Sequence, residues 1–240
     1  STGEIVPSAR EALTRLEENG HFVAIATGRA HYKARKFTDA NGFKNMVCCG
    51  GNGCVIDNEL VENIPLDKDG CIKIIHQAEE LGYGWCVALD DTKDVYMTDD
   101  KFLRQVGKRK EPTRYIIDDM LEVEKADAIY KVYVAIPKED EEKLTTKELV
   151  GHLRFEPEYL MFQPDNKRGG IIKMMEHLNA DIKDVVVFGD DYNDMDMFCP
   201  EWFSIAMGNA CQDLKDMASY VTDTNVNDGI KKACEHFGWI

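Results

Sequence analysis

Residues 185–194 read Val185-Val186-Val187-Phe188-Gly189-Asp190-Asp191-Tyr192-Asn193-Asp194, an apolar run that passes without a break into an acidic turn. A strand that is apolar at every position is buried on both faces, the habit of parallel sheets packed between helices. The polar turn marks its carboxyl end, where open α/β sheets gather their chemistry. Phe22-Val23-Ala24-Ile25-Ala26, followed by Thr27-Gly28-Arg29, has the same pattern, and so does Met46-Val47-Cys48-Cys49 ahead of Gly50-Gly51-Asn52-Gly53. Ser204-Ile205-Ala206-Met207 and Tyr220-Val221-Thr222 read as two further short strands. Helices are predicted at 8–20, capped by Ser8, and at 30–41, 170–178 and 212–218. Residues 54–57 and 60–63 form a hairpin about Asn58-Glu59.

The texture differs from about residue 66 to 163. Tyr130, Val132, Val134 and Ile136 alternate with Lys131, Tyr133 and Ala135. Residues 85–89 and 94–98 read as paired strands, and residues 153–163 fold back about Pro157. Helices are predicted at 72–81 and, highly charged, at 139–150. Alternating strands belong to an antiparallel sheet covered on one face. The predicted fold is therefore α/β: a Rossmann-like, doubly wound parallel sheet core from residues 1–64 and 165–240, interrupted by an α+β domain at 65–164.

Composition narrows the function. The 240 residues hold 44 acidic and 29 basic side chains, a net charge of −15. Such a surface excludes non-specific binding to nucleic acid or an anionic membrane. No apolar run approaches the ~20 residues that cross a bilayer, and residues 1–7 carry no signal-peptide pattern. Eight cysteines without a CxxC pair read as free thiols of a reducing cytosol. An anionic substrate stays possible, but it needs a locally positive pocket or a bound cation.

Three strand ends carry candidates for that task. Asp190, Asp191 and Asp194 crowd one turn with Asn193, and clustered carboxylates are favourable chiefly beside a hard cation such as Mg²⁺. An acidic helix cap is the plainer alternative. Thr27 either caps the following helix or offers its hydroxyl, with the N–H groups of Gly28 and Arg29, as an anion cradle. Lys167 opposes a helix dipole, a conflict that a nearby anion or simple solvation resolves. Gly50-Gly51-Asn52-Gly53 lacks the third glycine and the helix of a dinucleotide loop. The histidines at 21, 31, 76, 152, 177 and 236 form no ligand pair. Lys108-Arg109-Lys110 is the one tight basic run, a solvated loop unless it faces a substrate's second anionic group.

In order, Thr27-Gly28-Arg29, Asn52-Gly53, Lys167, Gly189-Asp190-x-x-Asn193-Asp194, Ala206-Met207-Gly208-Asn209-Ala210 and Asp228-Gly229-Ile230 spell a family pattern. The chain resembles the haloacid dehalogenase superfamily, in its Cof-type sugar-phosphatase branch with a large cap. The resemblance implies a Mg²⁺-dependent phosphohydrolase that works on a small phosphorylated metabolite through an aspartyl-phosphate. It implies that Thr27 and Gly28 hold the transferring phosphoryl group with Arg29 beside them. Lys167 would neutralise the phosphate and nucleophile, and Asn193 would hydrogen-bond the phosphate. Asp190 would ligate the metal, Asp194 would support that metal site, and Asn52 would lie near the substrate loop. The inserted domain would be the cap that closes over the site.

The family's first motif, DxDGT, which supplies nucleophile and general acid, does not occur here. One strand with its loops, about 15–20 residues, is expected upstream of Ser1 in the middle of the sheet. Two other outcomes fit the same fold: a phosphate-binding module without turnover, and a phosphomutase.

Overall fold

The computed structural model describes residues 5–240. Pro7–Glu18 (α1) leads to Ile25–Ala26 (β1), His31–Asn41 (α2) and Met46–Cys48 (β2). A hairpin of Gly53–Ile56 (β3) and Glu59–Asn63 (β4) follows. β1 and β2 run parallel, with Ile25 opposite Met46, and β3 and β4 extend the sheet antiparallel. Asp57 and Asn58 turn that hairpin at φ of 50° and 67°, left-handed values that Asp and Asn tolerate. Pro7 opens α1 and Val6 precedes it, so Ser8 is not the cap. Proline has no amide, which removes one of the unpaired donors at the helix start, and no side chain caps the others.

The next residues build a separate sheet. Lys68–Glu80 (α3), Trp85–Ala88 (β5), Asp94–Met97 (β6), Lys101–Val106 (α4), Arg114–Ile117 (β7), Lys131–Val134 (β8), His152–Glu156 (β9) and Tyr159–Phe162 (β10) succeed one another. Their six strands order as β7-β6-β5-β8-β10-β9, antiparallel except for β6 with β7. One face takes Ile74, Ile75 and Ala78 of α3 against Val132, Val134 and Phe162. The other face is covered too: Phe102 of α4 joins Tyr133, Tyr159 and Met161. Val132, Tyr133 and Val134 are accordingly all buried, and the alternation in β8 sorts two apolar faces rather than one apolar and one wet face. The charged helix predicted at 139–150 is two 3-10 segments, Lys138–Lys143 and Thr145–Leu149. Gln77 of α3 takes the Thr146 amide at 2.9 Å, so a side chain claims a donor that helix formation needs.

Lys167–Leu178 (α5), Val186–Gly189 (β11), Phe203–Ala206 (β12), Gln212–Met217 (α6), Tyr220–Val221 (β13) and Gly229–His236 (α7) complete the chain. β11, β12 and β13 are parallel, the direction expected from the apolar run at 185–188. The parallel strands nevertheless lie in two sheets. β1 and β11 are each an edge, with no ladder between them among the described residues. Ile25 and Phe188 pack in one apolar cluster, and Ala26 packs beside Val187 in another, so the two edges are neighbours. An edge without a partner gives less burial. Phe22 is 46% exposed and Val186 38%, and β1 is two residues long where 22–26 was expected.

Candidate active site

A cleft of about 520 Å³ opens between the carboxyl ends of the core strands and the second face of the six-stranded sheet. Thr27, Gly28, Arg29, Asn52, Lys167 and Asn193 line it from the core side. Asp190 and Asp194 stand behind Asn193 rather than in the lining.

Local geometry explains each placement. The Thr27 amide donates to the Val47 carbonyl at 2.9 Å, which ends β1, and Thr27 Oγ1 accepts the Arg29 amide at 3.2 Å. The helix that follows is preceded by Ala30, not Thr27, so the hydroxyl closes a turn at the cleft instead of a helix cap. Asn52 donates its side-chain amide to the Ile64 carbonyl at 3.0 Å, tying the loop after β2 to the crossing towards α3. Gly51 brings that loop against the start of α5. Its φ is +104°, and a Cβ there would stand 2.6 Å from the Asn166 carbonyl carbon. Gly51→Ala is therefore expected to lose at least about 2 kcal/mol from backbone strain and overpacking together. An unchanged urea midpoint would refute that account of the loop.

Lys167 is the first residue of α5 and only 2% exposed. Its Nζ donates to Asp194 Oδ1 at 2.6 Å. A buried ammonium is tolerable only with such a partner. Asp194 spends its other oxygen on backbone: Oδ2 accepts the amides of Asp190 at 3.0 Å and Asp191 at 3.4 Å. Both of its oxygens are thus engaged by protein donors. Asp191 and Asp194 also cap the 3-10 turn Tyr192–Met197 reciprocally. This turn holds Asn193 at the cleft and leaves Asp190 outside the pair.

Asp190 meets a different environment. Crowding by protein atoms, then the charges of Asp194 and Asp191, push its carboxyl above the ordinary aspartate range. Asn209 approaches its Oδ2 at 3.3 Å, the one side-chain donor that reaches it among the described residues. Desolvation, followed by Asp196, likewise raises Asp165. Excess negative charge with few donors suits a hard cation. No three His, Cys, Asp or Glu side chains converge among the described residues, so the cation would take its remaining oxygens from water, backbone or substrate, as Mg²⁺ commonly does.

Sequence reasoning assigned no role to several groups at the site. Asn209 stands in the quoted Ala206–Ala210 stretch and was legible there. Gln163 donates to the Gly28 carbonyl at 3.3 Å, and its own Oε1 is buried without a partner. Cys49 lines the cleft at φ 53° beside Cys48. Its thiol is held below the ordinary range chiefly by the Cys48 hydrogen bond, against the opposing effect of burial. Nothing in the sequence marked Gln163, because only the fold brings residue 163 to residue 28.

A parallel α/β core, a cleft roofed by an inserted sheet, and a buried lysine–aspartate pair beside a threonine turn define a capped enzyme with an α/β core. The family profile of haloacid dehalogenase-like hydrolases matches residues 1–234, and the chain belongs to that family, in its Cof-type branch. It is an enzyme. YkrA of Bacillus subtilis is 28% identical over 237 residues, 98% of this chain and 91% of YkrA. The pyridoxal phosphate phosphatase YbhA of Escherichia coli is 27% identical, with 94% of this chain and 89% of YbhA covered. A solved protein of Geobacillus kaustophilus HTA426 shares the fold at a TM-score of 0.81 and 24% identity, over 99% of this chain and 93% of that one. No helix among the described residues is long and apolar enough to cross a membrane.

Proposed function

We propose that this enzyme is a Mg²⁺-dependent phosphatase that hydrolyses a small phosphorylated metabolite, a sugar phosphate by preference, through an aspartyl-phosphate. The observation that most supports this reading is the Lys167–Asp194 pair, which holds one buried ammonium at the cleft beside Thr27 and Asn193. An ammonium has three donors. Asp194 takes one, which leaves two for phosphoryl oxygens and the attacking carboxylate. Thr27 Oγ1, the Gly28 amide and the Asn193 amide complete the phosphate's shell, with Arg29 at the rim. Asn52 holds the loop that faces the leaving group.

Asp190 would hold Mg²⁺, and Asp194 acts from behind by fixing the Asp190 and Asp191 amides. The bound ion supplies positive charge against the negative charge that develops on the phosphoryl oxygens. Phosphoryl transfer needs little more than positioning and charge. The attacking carboxylate would come from between the facing edges of β1 and β11, the one place among the described residues where both Thr27 and the Asp190 turn are adjacent to open backbone. Residues 65–164 act as the cap: the sheet roofing the cleft excludes water and selects the leaving group. YbhA, named for pyridoxal phosphate, sets a precedent for a compact phosphomonoester. The Cof-type resemblance favours sugars.

Phosphate release from a panel of sugar phosphates and pyridoxal phosphate, with Mg²⁺ and after chelation by EDTA, tests the reading. Release with Mg²⁺ that falls at least about 100-fold on chelation is expected. Metal-independent release sinks the metal role. Transfer to a second sugar hydroxyl without release makes the enzyme a mutase, and binding without either makes it a non-catalytic module.

A further inference from the structure

The basic run at 108–110 divides in the folded chain. Lys110 reaches Glu156 at 2.8 Å and is a surface ion pair. Arg109 turns instead into the cleft, where its guanidinium carbon lies 3.8 Å from the Tyr133 ring centroid. One amino group donates to Thr113 Oγ1 at 2.8 Å, and Nε is buried without a partner. Lys131, two residues before Tyr133 in β8, lines the same wall. Desolvation pushes its ammonium below the ordinary lysine range against the opposing charges of the Cys49 thiol and Glu111, and Arg109 and Lys33 add to the lowering.

Of the other cations in the cleft, Arg29 sits on the core side at the phosphate rim, and the remaining lysines are paired. Lys33 pairs with Glu111, and Lys167 with Asp194. Most acids of the wall are occupied as well: Asp91 holds His31 and the Tyr32 amide, Asp94 is bound by Arg114 and Glu156 by Lys110, while the exposed Asp90 accepts only the Thr92 hydroxyl. Glu111 is the carboxylate whose charge reaches both Arg109 and Lys131, and its hydrogen bond goes to Lys33. Arg109 and Lys131 therefore face the cleft with no carboxylate in ion-pair contact among the described residues, Glu111 being already held by Lys33. In a chain of charge −15, two like charges left together and partly desolvated are costly unless something anionic joins them.

We infer that Arg109 and Lys131 form an anion subsite on the cap wall, so that the preferred substrate is a phosphomonoester bearing a second anionic group, carboxylate or phosphate, on its leaving-group portion. This rests on the phosphatase reading for the first phosphate alone. The core cradle takes the phosphate that is cleaved, and Arg109 and Lys131 are specificity-determining residues for the far end. The stacked guanidinium is already oriented by Tyr133, which lowers the entropy lost on binding.

Calorimetry on the whole chain with Mg²⁺ tests this with three probes: glucose 6-phosphate, 6-phosphogluconate and glucose 1,6-bisphosphate. At least one of the doubly anionic probes is expected to bind about 10- to 100-fold more tightly than glucose 6-phosphate, the range of a charge-assisted hydrogen bond. Which of the two gains more tells carboxylate from phosphate. Lys131→Met and Arg109→Met should each shrink that ratio about tenfold, and Arg109→Lys should restore part of it. Methionine keeps the lysine's stem volume, so the Lys131 variant guards against a fold defect in the other. Equal affinity for all three probes, or a ratio unmoved by either variant, overturns the subsite. Phosphate release is followed in the same samples. No release with the ratio intact removes the phosphatase reading and leaves the subsite standing.

Discussion

Lys167→Met is expected to cut turnover by about 10²–10³-fold or more and to destabilise the chain together. The ammonium is 2% exposed and its Asp194 partner is also buried. Removing one member of a buried pair leaves the other charge uncompensated, which costs about 3–5 kcal/mol. The loss is structural at first. Asp194 Oδ2 organises the amides of Asp190 and Asp191, so a displaced Asp194 releases the turn that presents Asn193. Catalysis loses a fixed charge at the phosphoryl group as well, worth about 10²–10³-fold in turnover for a single preorganised donor. The double variant Lys167→Met with Asp194→Asn separates the two effects. It should recover most of the stability, because no unpaired charge remains, and none of the activity. Urea unfolding and phosphate release measure them. A Lys167→Met protein with native stability and turnover would remove the pair from the mechanism.

Asp190→Asn should have the opposite signature: lost activity with stability kept or gained. Its carboxyl is pushed up by crowding and by the charges of Asp194 and Asp191, so the folded state disfavours the ionised form. The sign follows. A raised folded-state value means that the fold gains from protonation, a gain present below the unfolded value and lost as pH rises through the folded one. At neutral pH without metal the asparagine variant should then be the more stable protein. The difference should fade as pH falls below the ordinary carboxylate range. Mg²⁺ should raise the melting temperature of the parent protein and not that of the variant, since a ligand that binds only the folded state stabilises it. Turnover should fall about 10²-fold or more. Equal Mg²⁺ stabilisation of both proteins would place the metal elsewhere.

Much of the site was legible because it is local. Thr27-Gly28-Arg29 and Gly189–Asp194 each follow an apolar strand directly, and the backbone that ends a strand also aims the next side chains. What Asp194 does was not legible. Its partner lies 27 residues away, and only the contact between α5 and the turn Tyr192–Met197 brings Lys167 to it. Arg109 was singled out as part of a basic run, yet the run's members part company. Lys110 goes to a surface carboxylate, and Arg109 goes on to a tyrosine ring whose position depends on the six-stranded sheet.

The fold divides in the same way. Apolar continuity at 46–48 and 186–189 determined by itself that these segments are strands, but not their direction: both have parallel partners, whereas the equally apolar Trp85–Ala88 and Tyr159–Phe162 pair antiparallel. Period-two alternation around Val132 determined a strand but not what covers it. The covering was decided by α3 on one side and Phe102 on the other, contacts made across tens of residues. Tertiary structure alone decided that β1 and β11 stand as two facing edges, because strand order depends on which elements meet, and no local pattern records that. Sequence determined which turns carry the polar groups. The fold decided which of those groups are paired, and therefore which charges are left to act.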